Sequence, residues 1–246
     1  RISEVLETPD SFFVTEDSSE GDDENFISFE NVSFSYLGKK NNLKQISFSL
    51  KKGQTLGIIG ATGSGKSTIL RLLMRFYDAD FGKVRIHGKD VRSYSKEALS
   101  AMFGVVFQND FLYSDSIEEN IRFGRNLSKD DIIAAAKIAQ AHDFIVSFSD
   151  GYDHSVSTGG TNLSGGQRQR LLISRAIAGK PDILILDEVL AVGDGAFKEK
   201  SEAKMRSIID GGATTILVSH SIPQVRSMCN KILWLDRGEM VEFGED

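Results

Sequence analysis

Cysteine is almost absent from this chain of 246 residues, in which Cys229 is the only one. A single thiol excludes an internal disulfide, a cysteine-rich metal site and a secreted disulfide scaffold, so the sequence predicts a cytosolic setting. No run approaches the roughly 18 to 20 consecutive apolar residues of a membrane helix, and the acidic N-terminus does not resemble a signal peptide. Proline is also scarce, with 3 residues, while 40% hydrophobic and 26% charged residues are typical of a folded globular protein.

A basic surface is lacking as well. The net charge is -6, but residues 1–25 hold nine acidic side chains against one arginine, so the remaining 221 residues sum to +2. A near-neutral body of this kind disfavours nucleic acid as a partner, because nucleic-acid binding needs a concentrated basic face. Residues 16–24, EDSSEGDDE, combine like charges with small polar side chains and are interpreted as a solvated linker.

The first half of the chain shows strand patterns followed by a helix pattern. Residues 26–36 and 43–50 alternate apolar and polar side chains and predict an antiparallel sheet. Residues 55–60 then predict a short buried strand, and residues 67–76 predict a helix directly after it. One apolar stripe of that helix consists of Ile69, Leu72, Leu73 and Phe76.

The second half alternates helices and strands. A mostly helical portion, about 110–175, contains a capping pair, Ser128 and Asp131, ahead of an apolar helix. Beyond it the patterns predict buried strands at 182–187 and 214–220, a helix at 196–209, and two strands around the turn at 236–238. We therefore expect an α/β fold: a parallel-sheet core, an antiparallel β lobe before it and an inserted α-helical lobe.

A phosphate-binding loop is the strongest local signal. GATGSGKS, residues 60–67, matches the pattern G-x-x-x-x-G-K-S/T between a predicted strand and helix. Its glycines let the backbone N–H groups face phosphates, Lys66 neutralises phosphate charge and Ser67 offers a Mg²⁺ ligand, so the ligand is a nucleoside triphosphate with Mg²⁺. The residues predicted to contact it are Gly60, Ala61, Thr62, Gly63, Ser64, Gly65, Lys66, Ser67 and Thr68.

Two acidic residues follow the next buried strand. Asp187 ends the apolar run DILIL, at the carboxyl edge of a parallel sheet where such folds bind ligands, and it suits a Mg²⁺ ligand. Glu188 is a candidate general base for an attacking water. The alternative is that both are helix N-terminal acids or a solvated edge.

A second glycine-containing helix start lies at LSGGQRQR, residues 163–170. Its predicted anion-binding residues are Ser164, Gly165, Gly166 and Gln167. Two helix termini on one γ-phosphate would crowd the attacking water, so the simplest arrangement is two chains, each closing on nucleotide held by the other. A capped helix with a flexible Gly-Gly entry is the alternative.

Together these segments resemble the nucleotide-binding domain of ABC transporters over residues 26–246. GATGSGKS is similar to its Walker A loop, ILILDE to its Walker B segment with the catalytic glutamate, and LSGGQ to its defining motif. The resemblance implies a P-loop NTPase fold of the ABC type that binds ATP with Mg²⁺ and hydrolyses it.

The same resemblance implies roles for further residues. Tyr36 matches the aromatic residue that stacks on adenine, although a half-buried strand tyrosine is the alternative. Gln108 matches the Q-loop glutamine that reaches Mg²⁺, and Asp194 matches the D-loop aspartate. His220 matches the switch histidine at the γ-phosphate, against the alternative of a structural histidine. The implied catalytic set is Glu188, His220, Lys66, Gln108 and Asp194, and the implied metal set is Ser67, Gln108 and Asp187.

The two ends of the chain resemble different branches of the family. Residues 1–188 are similar to a multidrug or peptide exporter, with 1–25 as the acidic linker from a transmembrane domain. Residues 189–246 are similar to the ATPase subunits of O-antigen and teichoic-acid exporters. This difference predicts a chimera joined near 180–188, with an ordinary divergent exporter domain as the alternative.

The resemblance implies a motor domain. Two copies would sandwich two Mg·ATP head to tail, and the helical lobe would pass their motion to a transmembrane domain, so a second nucleotide-binding domain and a transmembrane domain are the expected partners. The expected location is the cytoplasmic face of the cell membrane in the parent transporter, or the soluble cytoplasm for a fragment. Two alternatives are a catalytically impaired ATP-binding chimera and a non-transport ABC ATPase. Lys66 and Leu163, 97 positions apart, exclude the coiled-coil type of the latter.

Overall fold

A computed structural model of the chain describes residues 13–15, 24–38, 42–189 and 212–245. The expected helix at 196–209 and the predicted site residue Asp194 lie outside these ranges. Within them, the strands in chain order are β1 (Ile27–Phe34), β2 (Leu43–Leu50), β3 (Thr55–Ile59), β4 (Phe81–Ile86), β5 (Lys89–Asp90), β6 (Phe103–Val106), β7 (Asp115–Ser116), β8 (Ser155–Val156), β9 (Ile183–Asp187), β10 (Thr214–Val218), β11 (Lys231–Asp236) and β12 (Glu239–Gly244).

The α-helices of the described residues are mostly short. In chain order they are α1 (Lys66–Leu73), α2 (Lys96–Ala101), α3 (Ile117–Arg122), α4 (Lys129–Ile138), α5 (His142–Val146), α6 (Gly165–Ile177) and α7 (Ile222–Met228). Helices α3 to α6 belong to the predicted helical portion. The α/β class predicted from the sequence is confirmed.

An antiparallel sheet with the strand order β2-β1-β4-β5 forms the β lobe. In β1, Ile27, Phe29, Val32 and Phe34 are buried, so the alternation skips one position after Phe29. A register shift lies there, and Asn31 has a positive φ of 50°. This bulge keeps Val32 and Phe34 on the buried face. The lobe also includes β4 and β5, which follow α1 in the chain, so it is not built only from the segments before the core.

A six-stranded sheet with the order β12-β11-β3-β10-β9-β6 forms the core. Its pairs are parallel except for β11 with β12. The runs TLGII, ILILD and TTILV are buried almost throughout, as expected for strands covered on both faces. Because β3, β6, β9 and β10 are parallel neighbours, the residues that follow them lie at one edge of the sheet.

Helix α1 packs three of its four predicted stripe residues into the core. Ile69, Leu72 and Leu73 are buried, whereas Phe76 is 60% exposed, so the predicted helix over 67–76 is too long at its end. The helix ends at Leu73, and Arg75, with a φ of 55°, turns the chain before Phe76 can continue the stripe. A periodic pattern does not by itself mark the point where a helix stops.

The helical portion has a hydrophobic core of its own. The predicted cap of α4 is confirmed, because Ser128 Oγ accepts a hydrogen bond of 3.1 Å from the N–H of Asp131. The buried guanidinium of Arg175 on α6 donates to the carbonyls of Asn120 and Phe111, each at 2.9 Å. It therefore ties α6 to α3 and to the chain that leaves β6.

Gly104 lets strand β6 approach helix α6 very closely. A Cβ added at this glycine would lie 2.3 Å from the carbonyl oxygen of Ala176 and 2.7 Å from Cγ of Pro181. The first of these atoms belongs to helix backbone and cannot move as cheaply as a side chain. The contact therefore sets the separation between β6 and α6.

We expect Gly104→Ala to lower the free energy of unfolding by about 1 to 3 kcal/mol, because the added methyl group overpacks the contact between β6 and α6. Urea unfolding measures the change. Gly244→Ala is the matched control, since a Cβ at Gly244 meets nothing within 4 Å among the described residues. Equal stability of the two variants would contradict the close contact.

Candidate functional site

The phosphate loop follows β3 and is tightly folded. Gly60 has a φ of 150°, and a Cβ there would lie 2.3 Å from the carbonyl oxygen of Leu235, so this position excludes any side chain. Lys66 is buried, and its Nζ donates to the carbonyls of Gly60 at 2.8 Å and Ala61 at 3.1 Å. The ammonium group therefore lies inside the curve of the loop.

The first turn of α1 offers backbone donors to a ligand. Gly65 is the N-cap, with a φ of 110° and no side-chain capping bond. The first backbone hydrogen bond of this turn runs from the N–H of Thr68 to the carbonyl of Gly65, at 3.0 Å. The N–H groups of Lys66 and Ser67 therefore have no partner within the helix. Amide donors at a helix start form an anion site.

The remaining predicted loop residues differ in solvent exposure. Ala61, Thr62, Gly63 and Ser67 are exposed at the loop surface, whereas Ser64 and Thr68 are buried. Ser64 Oγ has no hydrogen-bond partner among the described residues, and the backbone carbonyl of Ser64 accepts from the N–H of Gly238 at 2.9 Å. The loop is thus attached to the turn between β11 and β12.

Three strand ends bring Glu188 together with Gln108 and His220. Gln108 Nε2 donates to Glu188 Oε2 at 2.8 Å, and His220 Nε2 lies 2.8 Å from Glu188 Oε1. The register explains the first contact: Val106 pairs with Leu186, so residues two positions later are also level. The backbone of Glu188 has a φ of 55°, and its N–H donates to the carbonyl of Val218 at 2.9 Å. A glutamate at positive φ is uncommon and marks a constrained site.

Opposite charges face each other between α1 and β9. Burial lowers the pKa of Lys66, while the carboxylates of Glu188 and Asp187 oppose this change. Burial also raises the pKa of Asp187, and the adjacent Glu188 carboxylate raises it further, against Lys66, Arg71 and His220. A ligand or ion of opposite charge next to each group would therefore stabilise its charged form against the effect of burial.

Tyr36 lies beside α1 and is held by its hydroxyl group. The hydroxyl is 3.2 Å from Thr68 Oγ1 and accepts a hydrogen bond of 2.9 Å from Arg71 Nη1. The rings of Phe34 and Tyr77 meet the Tyr36 ring edge-on at 4.8 and 5.0 Å. Sequence reasoning singled out Tyr36 but missed Arg71. No signal in the sequence indicates this contact, because the helix spacing puts Arg71 on one face with Thr68 but does not show that Tyr36 lies against that face.

The LSGGQ segment begins helix α6. Ser164 is the N-cap: its Oγ accepts from the N–H of Gln167 at 3.2 Å, and Gln167 Oε1 accepts from the N–H of Ser164 at 2.9 Å. The alternative of a capped helix is thus realised in the structure, and it is compatible with anion binding. Gly165 lines a cavity of about 220 Å³ together with Gln108 and Glu188.

The two glycine-containing helix starts are separated across the core sheet. The phosphate loop follows β3, whereas α6 packs against β6, three strand positions away in the order β3-β10-β9-β6. At the usual spacing of strands this is about 14 Å.

Oxygen donors suited to Mg²⁺ lie at the start of α1 and in the segments that follow β6 and end β9. The part of the chain that the structure describes contains no group of three or more His, Cys, Asp or Glu side chains placed to hold a metal ion. Asp187, Ser67 and the amide oxygen of Gln108 are hard oxygen ligands, and Mg²⁺ characteristically takes one or two carboxylates and completes its shell with phosphate and water. These residues therefore fit Mg²⁺ bound together with a nucleotide.

Comparison with known proteins gives consistent matches. A sequence model of the family described as ABC transporter matches residues 43–191. The chain is 41% identical over 219 residues to ATP-binding cassette sub-family B member 6 of Xenopus tropicalis, and 40% identical over 222 residues to the Beta-(1-->2)glucan export ATP-binding/permease protein NdvA of Brucella suis. Each match covers 89% of this chain, but only 26% and 36% of those proteins.

A solved structure gives the same result. The structure of a bacterial Atm1-family ABC exporter with ATP bound superposes with a TM-score of 0.86 at 34% identity, over 98% of this chain and 42% of that one. No helix among the described residues has the length and apolar character needed to cross a bilayer. The predicted junction near 180–188 is not confirmed by these matches and stays a prediction. The chain belongs to the ABC transporter family, as an ATP-binding nucleotide-binding domain.

Proposed function

We propose that residues 26–246 act as the ATP-driven motor of an exporter, that Glu188 is the general base, and that residues 1–25 link the motor to a transmembrane domain. The observation that carries the proposal is the placement of Glu188 between Gln108 and His220, at the sheet edge shared with Lys66 and Asp187. The domain would work at the cytoplasmic face of a membrane.

The nucleotide phosphates bind at the phosphate loop and at the start of helix α1. The backbone N–H groups at the start of α1 and the ammonium of Lys66 meet the phosphates, and Lys66 exchanges its contacts with Gly60 and Ala61 for phosphate oxygens. Tyr36, beside the same helix, offers an aromatic face to the base. Asp187, Ser67 and Gln108 would hold Mg²⁺, which neutralises phosphate charge.

Hydrolysis requires a water in line with the γ-phosphate and a base that accepts its proton. In the proposed step the water oxygen bonds to the γ-phosphorus, the bond to the bridging oxygen of ADP breaks, and the water proton passes to the Glu188 carboxylate. Gln108 and His220 contact one carboxylate oxygen each and fix its orientation. A positioned base contributes about 10² to 10⁴ to the rate.

A second protomer completes the site in this proposal. Ser164, Gly165, Gly166 and Gln167 begin a helix that lies three strand positions from the phosphate loop of the same chain. This separation disfavours closure of both helix starts of one chain on one γ-phosphate. A head-to-tail dimer brings the α6 start of one copy to the nucleotide of the other. Asp194 would act at the same interface.

The helical portion provides a surface that could receive motion from the site. Phe107, Phe111, Tyr113 and Phe123 are exposed aromatic side chains in or next to the segment that leaves Gln108. Arg175 ties this segment to α6, since its guanidinium lies 4.6 Å from the ring centroid of Phe123 and donates to the carbonyl of Phe111. Exposed apolar patches of this kind mark protein contacts, and we assign this one to a transmembrane domain.

Glu188→Gln should lower ATP turnover by at least about 100-fold, because an amide cannot accept the water proton. ATP affinity should stay within about threefold, since the substitution keeps the shape of the side chain. Phosphate release and equilibrium dialysis measure the two effects. Glu239→Gln, which removes an exposed carboxylate paired with Lys44, is the matched control and should hydrolyse ATP normally. Turnover at the parent rate in Glu188→Gln would show that the base is another group.

Specific ATPase activity should rise with protein concentration, because a site shared by two chains forms only in the dimer. Phosphate release per mole of protein, measured over a wide dilution series, tests this. Sedimentation of Glu188→Gln should show a dimer with Mg·ATP and a monomer without it. A specific activity that does not change on dilution would contradict the shared site and indicate hydrolysis by single chains.

A further inference from the structure

Tyr36 is fastened to helix α1 at two points. Its hydroxyl contacts Thr68 Oγ1 at 3.2 Å and accepts from Arg71 Nη1 at 2.9 Å. Thr68 and Arg71 are three residues apart and therefore share one face of α1. The same helix begins with Lys66 at the phosphate loop. The aromatic ring offered to the base and the loop offered to the phosphates are thus attached to one rigid element.

The other neighbours of Tyr36 limit its motion further. Phe34 and Tyr77 pack edge-on against its ring, and its backbone N–H donates to Asn42 Oδ1 at 3.1 Å. The guanidinium carbon of Arg71 lies 5.8 Å from the ring centroid. Without the bond from Arg71, Thr68 would be the remaining side-chain contact to the hydroxyl among the described residues.

We propose that Arg71 is a positioning residue that sets affinity for the nucleotide base by holding the Tyr36 ring in its binding orientation. This inference rests on the proposed function, because it assumes that the loop binds ATP. Arg71 acts through Tyr36 and not on the reacting atoms. A ring that is already fixed loses less conformational freedom when a base stacks on it, so binding is tighter.

A second effect of Arg71 has to be separated from this one. Its charge also influences Asp187, so a cation at this position could attract polyphosphate whatever the state of Tyr36. Inorganic tripolyphosphate with Mg²⁺ distinguishes the two effects, because it carries the phosphate charges and has no base. Positioning of Tyr36 affects ATP alone, whereas general attraction affects both ligands.

The experiment compares Arg71→Met, Tyr36→Phe and the double variant, all in the Glu188→Gln background so that ATP is not consumed. Titration calorimetry gives the Kd for Mg·ATP and for Mg·tripolyphosphate. Arg71→Met should raise the Kd for ATP by about three- to tenfold, the range for loss of a well-oriented aromatic contact. The Kd for tripolyphosphate should change by less than twofold. The double variant should bind ATP no more weakly than Arg71→Met, because both changes remove the same bond.

Two results would overturn the proposal: equal weakening of both ligands by Arg71→Met, or additive effects of the two substitutions on ATP. Tyr36→Phe keeps the ring but removes the hydroxyl, so it tests the same hydrogen bond even if Arg71→Met folds poorly. Lys96→Met, which removes an exposed charge on α2, controls for net charge. Lys66→Ala should lose both ligands. Undiminished ATP binding by Lys66→Ala would refute the proposed function itself, apart from any role of Arg71.

Discussion

The level ending of four parallel strands is the constraint on which the site depends. Strands β3, β10, β9 and β6 are hydrogen-bonded neighbours whose last residues lie side by side, so the residues that follow them are brought together without any contact along the chain. Gln108 and Glu188 are 80 positions apart in sequence, yet their side chains meet at 2.8 Å. Backbone pairing therefore fixes the positions of these groups, and the side chains adjust only the last few ångströms.

The charged groups at this edge favour a polyphosphate ligand that binds together with a divalent cation. Asp187 and Glu188 are adjacent carboxylates, and burial already works against the charge of Asp187. Lys66 carries the opposite charge in the same buried region, where its own ionised form is also disfavoured. A phosphate chain with a divalent cation offers each of these groups a partner of opposite sign, so binding relieves several unfavourable desolvation energies together.

Much of this arrangement could be predicted from the sequence, because the determining signals are local. The phosphate loop is a contiguous motif, β2 was bounded correctly by its alternation, and Ser128 caps α4 as its spacing with Asp131 indicates. The helix predicted over 67–76 was too long at its end, because helix termination depends on a turn at Arg75 that no periodicity encodes. Arg71 was missed for a related reason: its bond to Tyr36 joins two elements 35 positions apart, and only the folded chain shows that they meet.

The antiparallel sheet has a topological relation to the phosphate loop. The chain leaves this sheet after β2, forms β3, the loop and α1, and returns as β4 to pair with β1. The segment that contains β3, the phosphate loop and α1 therefore begins and ends at strands of the antiparallel sheet, β2 and β4. Strand β1 lies between β2 and β4 in this sheet, so a single strand pairs with the chain on both sides of the nucleotide-binding segment and keeps its two ends next to each other.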